Sequence, residues 1–151
     1  MTGFSITDFT PADQDEVREL VLQGLGEHWG VIEDGHNPDL DDIAESYASG
    51  RTVVVRSEGA VVATGSIVPR SDADAEIVRM SVVSSARRQG LGRTVVEELL
   101  DTARSWGCTR VVLETTSTWD DAKGLYLACG FRITHTEMSE YGEDTWFEYV
   151  L

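Results

Sequence analysis

Arg87-Arg88-Gln89-Gly90-Leu91-Gly92-Arg93 joins two segments whose apolar patterns differ. Upstream, Ile77, Val78, Met80, Val82 and Val83 read as a buried strand. Downstream, Leu91, Val95, Val96, Leu99, Leu100, Ala103 and Trp106 recur every three or four residues, the stripe of a helix lying on a sheet. Gly90 and Gly92 at the join let backbone approach a ligand closely, because no Cβ intervenes. The first helical turn offers unpaired N–H groups and the positive end of a dipole, and the flanking arginines add charge and bidentate geometry. This pattern predicts a pyrophosphate cradle between a strand and a helix.

Two common phosphate loops fit poorly. A dinucleotide fingerprint needs a third glycine where Val95 stands. A nucleoside-triphosphate loop ends in Gly-Lys-Ser/Thr, and the only lysine of the chain is the distant Lys123.

A second segment lies further on. Arg110 to Thr116 reads as a strand, and Thr118 opens a helix that ends at Ala128-Cys129-Gly130-Phe131. Together the two segments resemble the GNAT acetyltransferase superfamily. Its phosphate loop, R/Q-x-x-G-x-G/A, matches Arg87, Gly90 and Gly92. Its later motif, A-x-x-x-Y followed by G-F, matches Ala122, Tyr126 and Gly130-Phe131.

The resemblance covers nearly the whole chain. It implies one α/β (α+β) domain over residues 1–151, a mixed central sheet of about seven strands flanked by about four helices. It also implies acetyl transfer from acetyl-CoA, the cosubstrate, to an amine.

The elements around the cradle read in the order β-α-α-β-β-β-α-β-α-β-β. Phe4 to Phe9 forms a strand, and Thr10-Pro11-Ala12-Asp13 starts a helix with a capping box. Val17, Leu20, Val21 and Leu25 give that helix its buried face, and Gly24 and Gly26 loosen its end. Asn37-Pro38 opens a second helix through Leu40, Ile43 and Tyr47. Thr52 to Arg56 and Ala60 to Val68 pair across Glu58-Gly59, and a polar loop fills 69–75. The final hairpin runs Arg132 to Met138 and Thr145 to Val150, around Tyr141-Gly142-Glu143-Asp144. Short connections imply antiparallel pairs, and helical connections imply parallel crossovers.

Charge is unevenly spread. The chain of 151 residues carries a net charge of −15, which argues against nucleic acid and anionic membrane as partners. Residues 1–50 hold twelve acidic side chains against Arg18 alone, whereas residues 77–96 hold Arg79, Arg87, Arg88 and Arg93 and no acid. An acidic body with one basic loop suits an anionic cofactor at that loop. No apolar run is long enough to span a bilayer and no leader pattern opens the chain. Cys108 and Cys129 read as buried reduced thiols, which suggests a cytoplasmic protein without a metal site. Monomer and homodimer both remain open.

By resemblance, Met80, Ser81 and Val82 present backbone groups to the pantetheine arm of the cofactor, and Arg87, Arg88, Gln89, Gly90, Leu91, Gly92 and Arg93 wrap its pyrophosphate. Tyr126 is the candidate general acid, since a phenol with a reference pKa near 10 keeps its proton at neutral pH. Glu114 and Glu76 compete as the base. The Leu113-Glu114-Thr115 context resembles the ribosomal-protein alanine N-acetyltransferases, and Glu76-Ile77-Val78-Arg79-Met80 resembles many GNAT enzymes. Either glutamate is also readable as a strand carboxylate paired with Arg79 or Arg110. Relatives usually carry asparagine where Trp119 stands, seven residues before the tyrosine.

The acceptor region of the superfamily points to His28, Trp29, Glu33, Asp34, His36, Asn37, Asp39 and Tyr141, an aromatic and acidic set suited to a cationic amine, although Asn37 and Asp39 are also readable as caps of the second helix. Three functions follow: an acetyltransferase of a small amine, one acting on a protein N-terminus or lysine, and a CoA-binding regulatory module without turnover.

Overall fold

The structure, a computed structural model, describes residues 3–29, 37–87, 89–140 and 142–151, with the backbone alone for His28 and Trp29. A seven-stranded sheet runs in the order β1-β2-β3-β4-β5-β7-β6. The strands are β1 (Phe4–Asp8), β2 (Arg51–Ser57), β3 (Ala60–Pro69), β4 (Asp74–Val82), β5 (Arg110–Thr116), β6 (Arg132–Ser139) and β7 (Gly142–Val150). The helices are α1 (Gln14–Trp29), α2 (Ile43–Ser46), α3 (Leu91–Ser105) and α4 (Asp120–Ala128). The sheet is mixed, as expected: β4 and β5 are parallel and the other pairs antiparallel.

One face of the sheet packs under α3. Leu91, Val95, Val96, Leu99, Leu100 and Ala103 are buried there against Val53, Ile67, Ile77 and Leu113. Each buried leucine, valine or isoleucine among them contributes about 1.5–3 kcal/mol. Trp106 does not belong to that stripe: it lies past the last residue of α3 and is exposed. On the other face α1 covers β3 and β4, with Val17 and Val21 against Leu40, Ile43 and Val54.

Several local expectations need revision. Thr10 and Asp13 form the capping box, but it opens a 3₁₀ turn (Pro11–Asp13) that leads into α1. Gly24 and Gly26 lie within α1. At Gly24 the helix meets β4, since an added Cβ would stand 2.8 Å from the Ser81 Oγ. The second helix is a 3₁₀ turn (Pro38–Asp41) followed by a single α turn. α4 starts at Asp120, with Trp119 as its N-cap. β7 begins at Gly142, so the last hairpin closes more tightly than the turn read over 141–144.

The helical connection between β1 and β2 does not make them parallel. Gln14, at the start of α1, donates to the Leu40 carbonyl (2.7 Å) and accepts from the Ile43 N–H (3.0 Å). The chain has therefore returned to the end of the sheet it left, and β2 must run back beside β1.

A bulge in β4 shapes the site. Val78 faces Ser66 and Ser81 faces Thr64, leaving Arg79 and Met80 opposite Gly65 alone. Arg79 takes a left-handed φ of 55°. A Cβ on Gly65 would lie 2.5 Å from the Met80 Sδ and 2.8 Å from the Val95 Cγ1. Gly65→Ala is therefore expected to cost about 1–3 kcal/mol by overpacking. The cost should appear as a lower denaturant midpoint with an unchanged slope. An unmoved midpoint would mean that Met80 and α3 yield freely.

Candidate active site

β4 and β5 pair only over Asp74↔Arg110, Ala75↔Val111 and Glu76↔Val112. Beyond Glu76 the strands part, while β5 stays paired with β7 as far as Thr116. The β5-facing backbone groups of β4 from Val78 to Val82 thus have no strand partner. A chain bearing amides fits such an open edge as an added strand would, because buried backbone donors and acceptors need partners. Met80 turns its side chain toward α3, and the Ser81 hydroxyl donates to the Leu20 carbonyl of α1 (3.3 Å).

The parted strands open toward the start of α3. Gly90 is its N-cap, at φ 79°, and a Cβ there would meet nothing within 4 Å. The left-handed φ favours glycine, and the empty space lies where the N–H groups of Leu91, Gly92 and Arg93 lack intrahelical acceptors. Gly92 has a different role. A Cβ on it would stand 3.0 Å from the Leu125 Cδ2, so this glycine sets how closely α3 approaches α4.

The arginines are partly committed. Arg87 pairs with Glu27 of α1 (2.6 Å) and donates to the Val82 carbonyl (3.1 Å), and Arg93 pairs with Glu97 (3.1 Å). Gln89 is exposed. Arg88 lies outside the described residues.

Tyr126 faces the side of the sheet covered by α3 and α4, packed edge-on against Phe131 and Phe147 with ring centroids 6.1 and 5.7 Å away. It is 6% exposed. Its hydroxyl has no hydrogen-bond partner among the described residues, and burial drives its pKa well above the ordinary 10. The phenol is therefore protonated at any working pH. Cys129 and Cys108 are half-buried and free, and burial pushes the Cys129 thiol upward, consistent with inert packing.

Glu114 lies on the opposite face, in register with Trp146 of β7. Neither arginine considered from sequence pairs with it. Arg110 binds Asp74 (2.7 Å), a neighbour across the parallel register, and Arg79 is turned by the bulge toward Asp39. Glu114 is exposed yet has no cation partner among the described residues. Partial desolvation first, then the charges of Asp144, Glu76 and Glu137, push its pKa above 4.5. Glu76 instead pairs with Arg70 (2.7 Å). A carboxylate left unpaired among like charges is the stronger proton acceptor.

Sequence reasoning missed the neighbours of Glu114. Trp146 stacks on His135 with centroids 5.9 Å apart and planes within 5°. Glu137 lies directly across from Asp144. No described helix covers this part of the sheet. Only the register of β5, β7 and β6 brings these residues together, so no local signal marked them. A network at the bulge was also missed. Arg79 binds Asp39 through two hydrogen bonds (2.7 and 2.8 Å) and Asn37 through one (3.1 Å), while the Tyr47 hydroxyl donates to Asp39. The side chains of His28 and Trp29, together with Glu33, Asp34, His36 and Tyr141, lie outside the described residues. Among the described residues no group of side chains suits a metal ion, and no helix is long and apolar enough to cross a membrane.

Comparison with known proteins agrees with this fold. The model of the acetyltransferase (GNAT) family matches residues 15–131. The rat N-acetyltransferase 8F1 is 37% identical over 103 residues, covering 64% of this chain and 47% of that one. The chain thus spans about half the length of that relative. A GNAT-family acetyltransferase from Staphylococcus aureus Mu50 superposes with a TM-score of 0.87 at 16% identity, over 99% of each chain. The Salmonella typhimurium yncA protein, a putative acetyltransferase solved with its cofactor acetyl-CoA, superposes at 0.80 with 20% identity, over 98% of this chain and 94% of that one.

Proposed function

The chain belongs to the acetyltransferase (GNAT) family, and from that premise we propose that it transfers an acetyl group from acetyl-CoA to a small cationic primary amine. The observation carrying the cofactor half is the parting of β4 from β5 at Glu76, with the Gly90-capped start of α3 at the open end. Met80, Ser81 and Val82 would pair with the amides of the pantetheine arm. The N–H groups after Gly90 would meet the pyrophosphate, with Arg93 beside them.

The acceptor half rests on Glu114, Asp144 and Glu137 around the Trp146–His135 stack. Carboxylates beside an aromatic face attract a protonated amine. Glu114 takes a proton from the amine, and the neutral nitrogen attacks the thioester carbonyl carbon. As the tetrahedral intermediate collapses the C–S bond breaks, and Tyr126 donates to the departing sulfur. A thiol has a reference pKa of about 8.5, far below that of this phenol. Tyr126 thus keeps its proton and donates a hydrogen bond to the thiolate, and the second proton that the attacking nitrogen sheds as the amide forms is the one that neutralises the sulfur.

Acetyl-CoA should raise the melting temperature, since a ligand binding only the folded state adds about 2.7 kcal/mol at a hundredfold excess over Kd. Gly90→Val should abolish that shift by closing the cradle with a branched side chain. Both variants should also lower the melting temperature of the free protein, Gly90→Val through its left-handed φ and Gly92→Val because it strikes Leu125. A full shift in Gly90→Val would remove the cradle assignment. A thermal-shift screen of amines with acetyl-CoA present, followed by thiol-release assays, tests the acceptor class. Turnover with basic peptides alone would favour the protein-directed reading.

A further inference from the structure

Arg79 is the only non-glycine residue with a left-handed φ inside a described strand. Glu58, the other such residue, sits in the β2–β3 turn, where that conformation is normal. A left-handed residue within a strand is strained by about 1–3 kcal/mol and persists only where its surroundings over-determine it. Here the strain falls beside the point where β4 leaves β5, just before Met80, Ser81 and Val82.

Three side chains account for its persistence. Asp39 takes two hydrogen bonds from the Arg79 guanidinium, at 2.7 and 2.8 Å, and Asn37 takes a third at 3.1 Å. Tyr47 donates to Oδ2 of the same Asp39 carboxylate, the oxygen that also accepts from the Arg79 Nε. All three partners lie on residues 37–47, the passage between α1 and β2. Arg79 and Asp39 are about three-quarters buried, with side chains 25% and 27% exposed. A bidentate pair at this depth is stiffer than a surface ion pair, and its planar fork fixes direction as well as distance. Burial raises the Asp39 pKa, but the hydrogen bonds from Arg79 and Tyr47 outweigh it and hold the carboxyl below its ordinary value. The pair therefore stays charged across the working pH range.

We propose that Arg79 is a positioning residue: its clamp onto Asp39 holds the β4 bulge so that the free backbone edge from Met80 to Val82 keeps the spacing the cofactor needs. The proposal rests on reading the parted strands as the acetyl-CoA site. The clamp touches neither the cradle glycines nor Tyr126 and Glu114. Its loss should change how well the strand edge is presented and leave the chemical groups in place.

The test uses Arg79→Ala, Asp39→Ala, their double variant and Arg79→Gly. Acetyl-CoA Kd is read by calorimetry, and amide hydrogen exchange is read on the cofactor-free protein. Each alanine variant should weaken acetyl-CoA by about tenfold, the scale set by one strained residue. The double variant should be no worse than the weaker single one, because both remove the same contact. Arg79→Gly should recover part of the affinity, since glycine adopts φ 55° without strain. Exchange at Met80, Ser81 and Val82 should quicken while Val53, Val54 and Val55 in β2 keep their protection.

Kd values within twofold of the parent, additive losses, or exchange that quickens equally in β2 and β4 would each overturn the clamp. If Arg79→Ala fails to fold, the isosteric Asp39→Asn carries the same comparison. If the parent protein itself fails to bind acetyl-CoA, the cofactor reading falls, and the exchange arm still decides whether Arg79 holds the bulge.

Discussion

Tyr126→Phe is expected to keep acetyl-CoA binding and stability while slowing turnover. The hydroxyl has no hydrogen-bond partner among the described residues, so its removal leaves no buried group unsatisfied. The aromatic contacts with Phe131 and Phe147 survive in phenylalanine. Stability should therefore hold or rise slightly. The size of the rate loss separates two roles. A hydrogen bond to a charged group is worth about 1.5–3 kcal/mol, or roughly ten- to 150-fold in rate. Full proton transfer from a positioned acid supplies about a hundred- to ten-thousandfold. The raised phenol pKa favours the smaller range. Steady-state kcat with saturating acetyl-CoA measures the loss, and unchanged kcat would make Tyr126 a packing residue with water protonating the thiolate.

Glu114→Gln should lower kcat/KM by about a hundredfold or more at neutral pH and recover much of it in alkali. An amine of pKa near 10 is free in only about one molecule in a thousand at pH 7, so the base matters most there. Near pH 10 half of the amine has already lost its proton and the base matters little. The parent's acidic limb should lie above the ordinary carboxylate range, because partial desolvation and the charges of Asp144, Glu76 and Glu137 raise the Glu114 pKa. The Glu114→Gln profile should lack that limb, and Glu76→Gln should keep it. The reverse pattern would exchange the roles of the two glutamates. If both variants keep the limb, the amine arrives neutral and no side chain is needed as base.

The same substitution carries a stability prediction of definite sign. A carboxyl whose pKa is higher folded than unfolded favours the folded state only while protonated. Its cost to stability sets in as pH rises past the ordinary 4.5 and is complete above the raised value. Glu114→Gln should therefore melt higher than the parent at pH 7 and match it near pH 3. A residue whose neutralisation stabilises the fold while slowing the reaction is held there for function. Equal melting temperatures at both pH values would remove the electrostatic argument for Glu114.

The chain itself determined most of the architecture. The three- to four-residue recurrence from Leu91 to Ala103 marked α3, and Gly90 and Gly92 at its start marked a place where backbone could approach a ligand, whereas the left-handed N-cap at Gly90 is seen only in the structure. The Thr10–Asp13 capping box and the Glu58-Gly59 turn were likewise legible, because each is closed by atoms a few residues apart. Such features report local backbone energetics, which neighbouring residues control. The end of pairing at Glu76, the bulge at Arg79 and the meeting of Glu114 with Trp146, Asp144 and Glu137 belong to another class. Each depends on the register between strands distant in sequence. A shift of one residue would turn Glu114 to the opposite face. That register follows from how Phe147, Leu113 and Ile77 fill the space beneath α3 and α4, a packing choice made by the whole core at once. The glycine-rich loop proposed to hold the cofactor is thus written locally, and the placement of Glu114, the proposed base, among its acidic neighbours is decided only by tertiary packing.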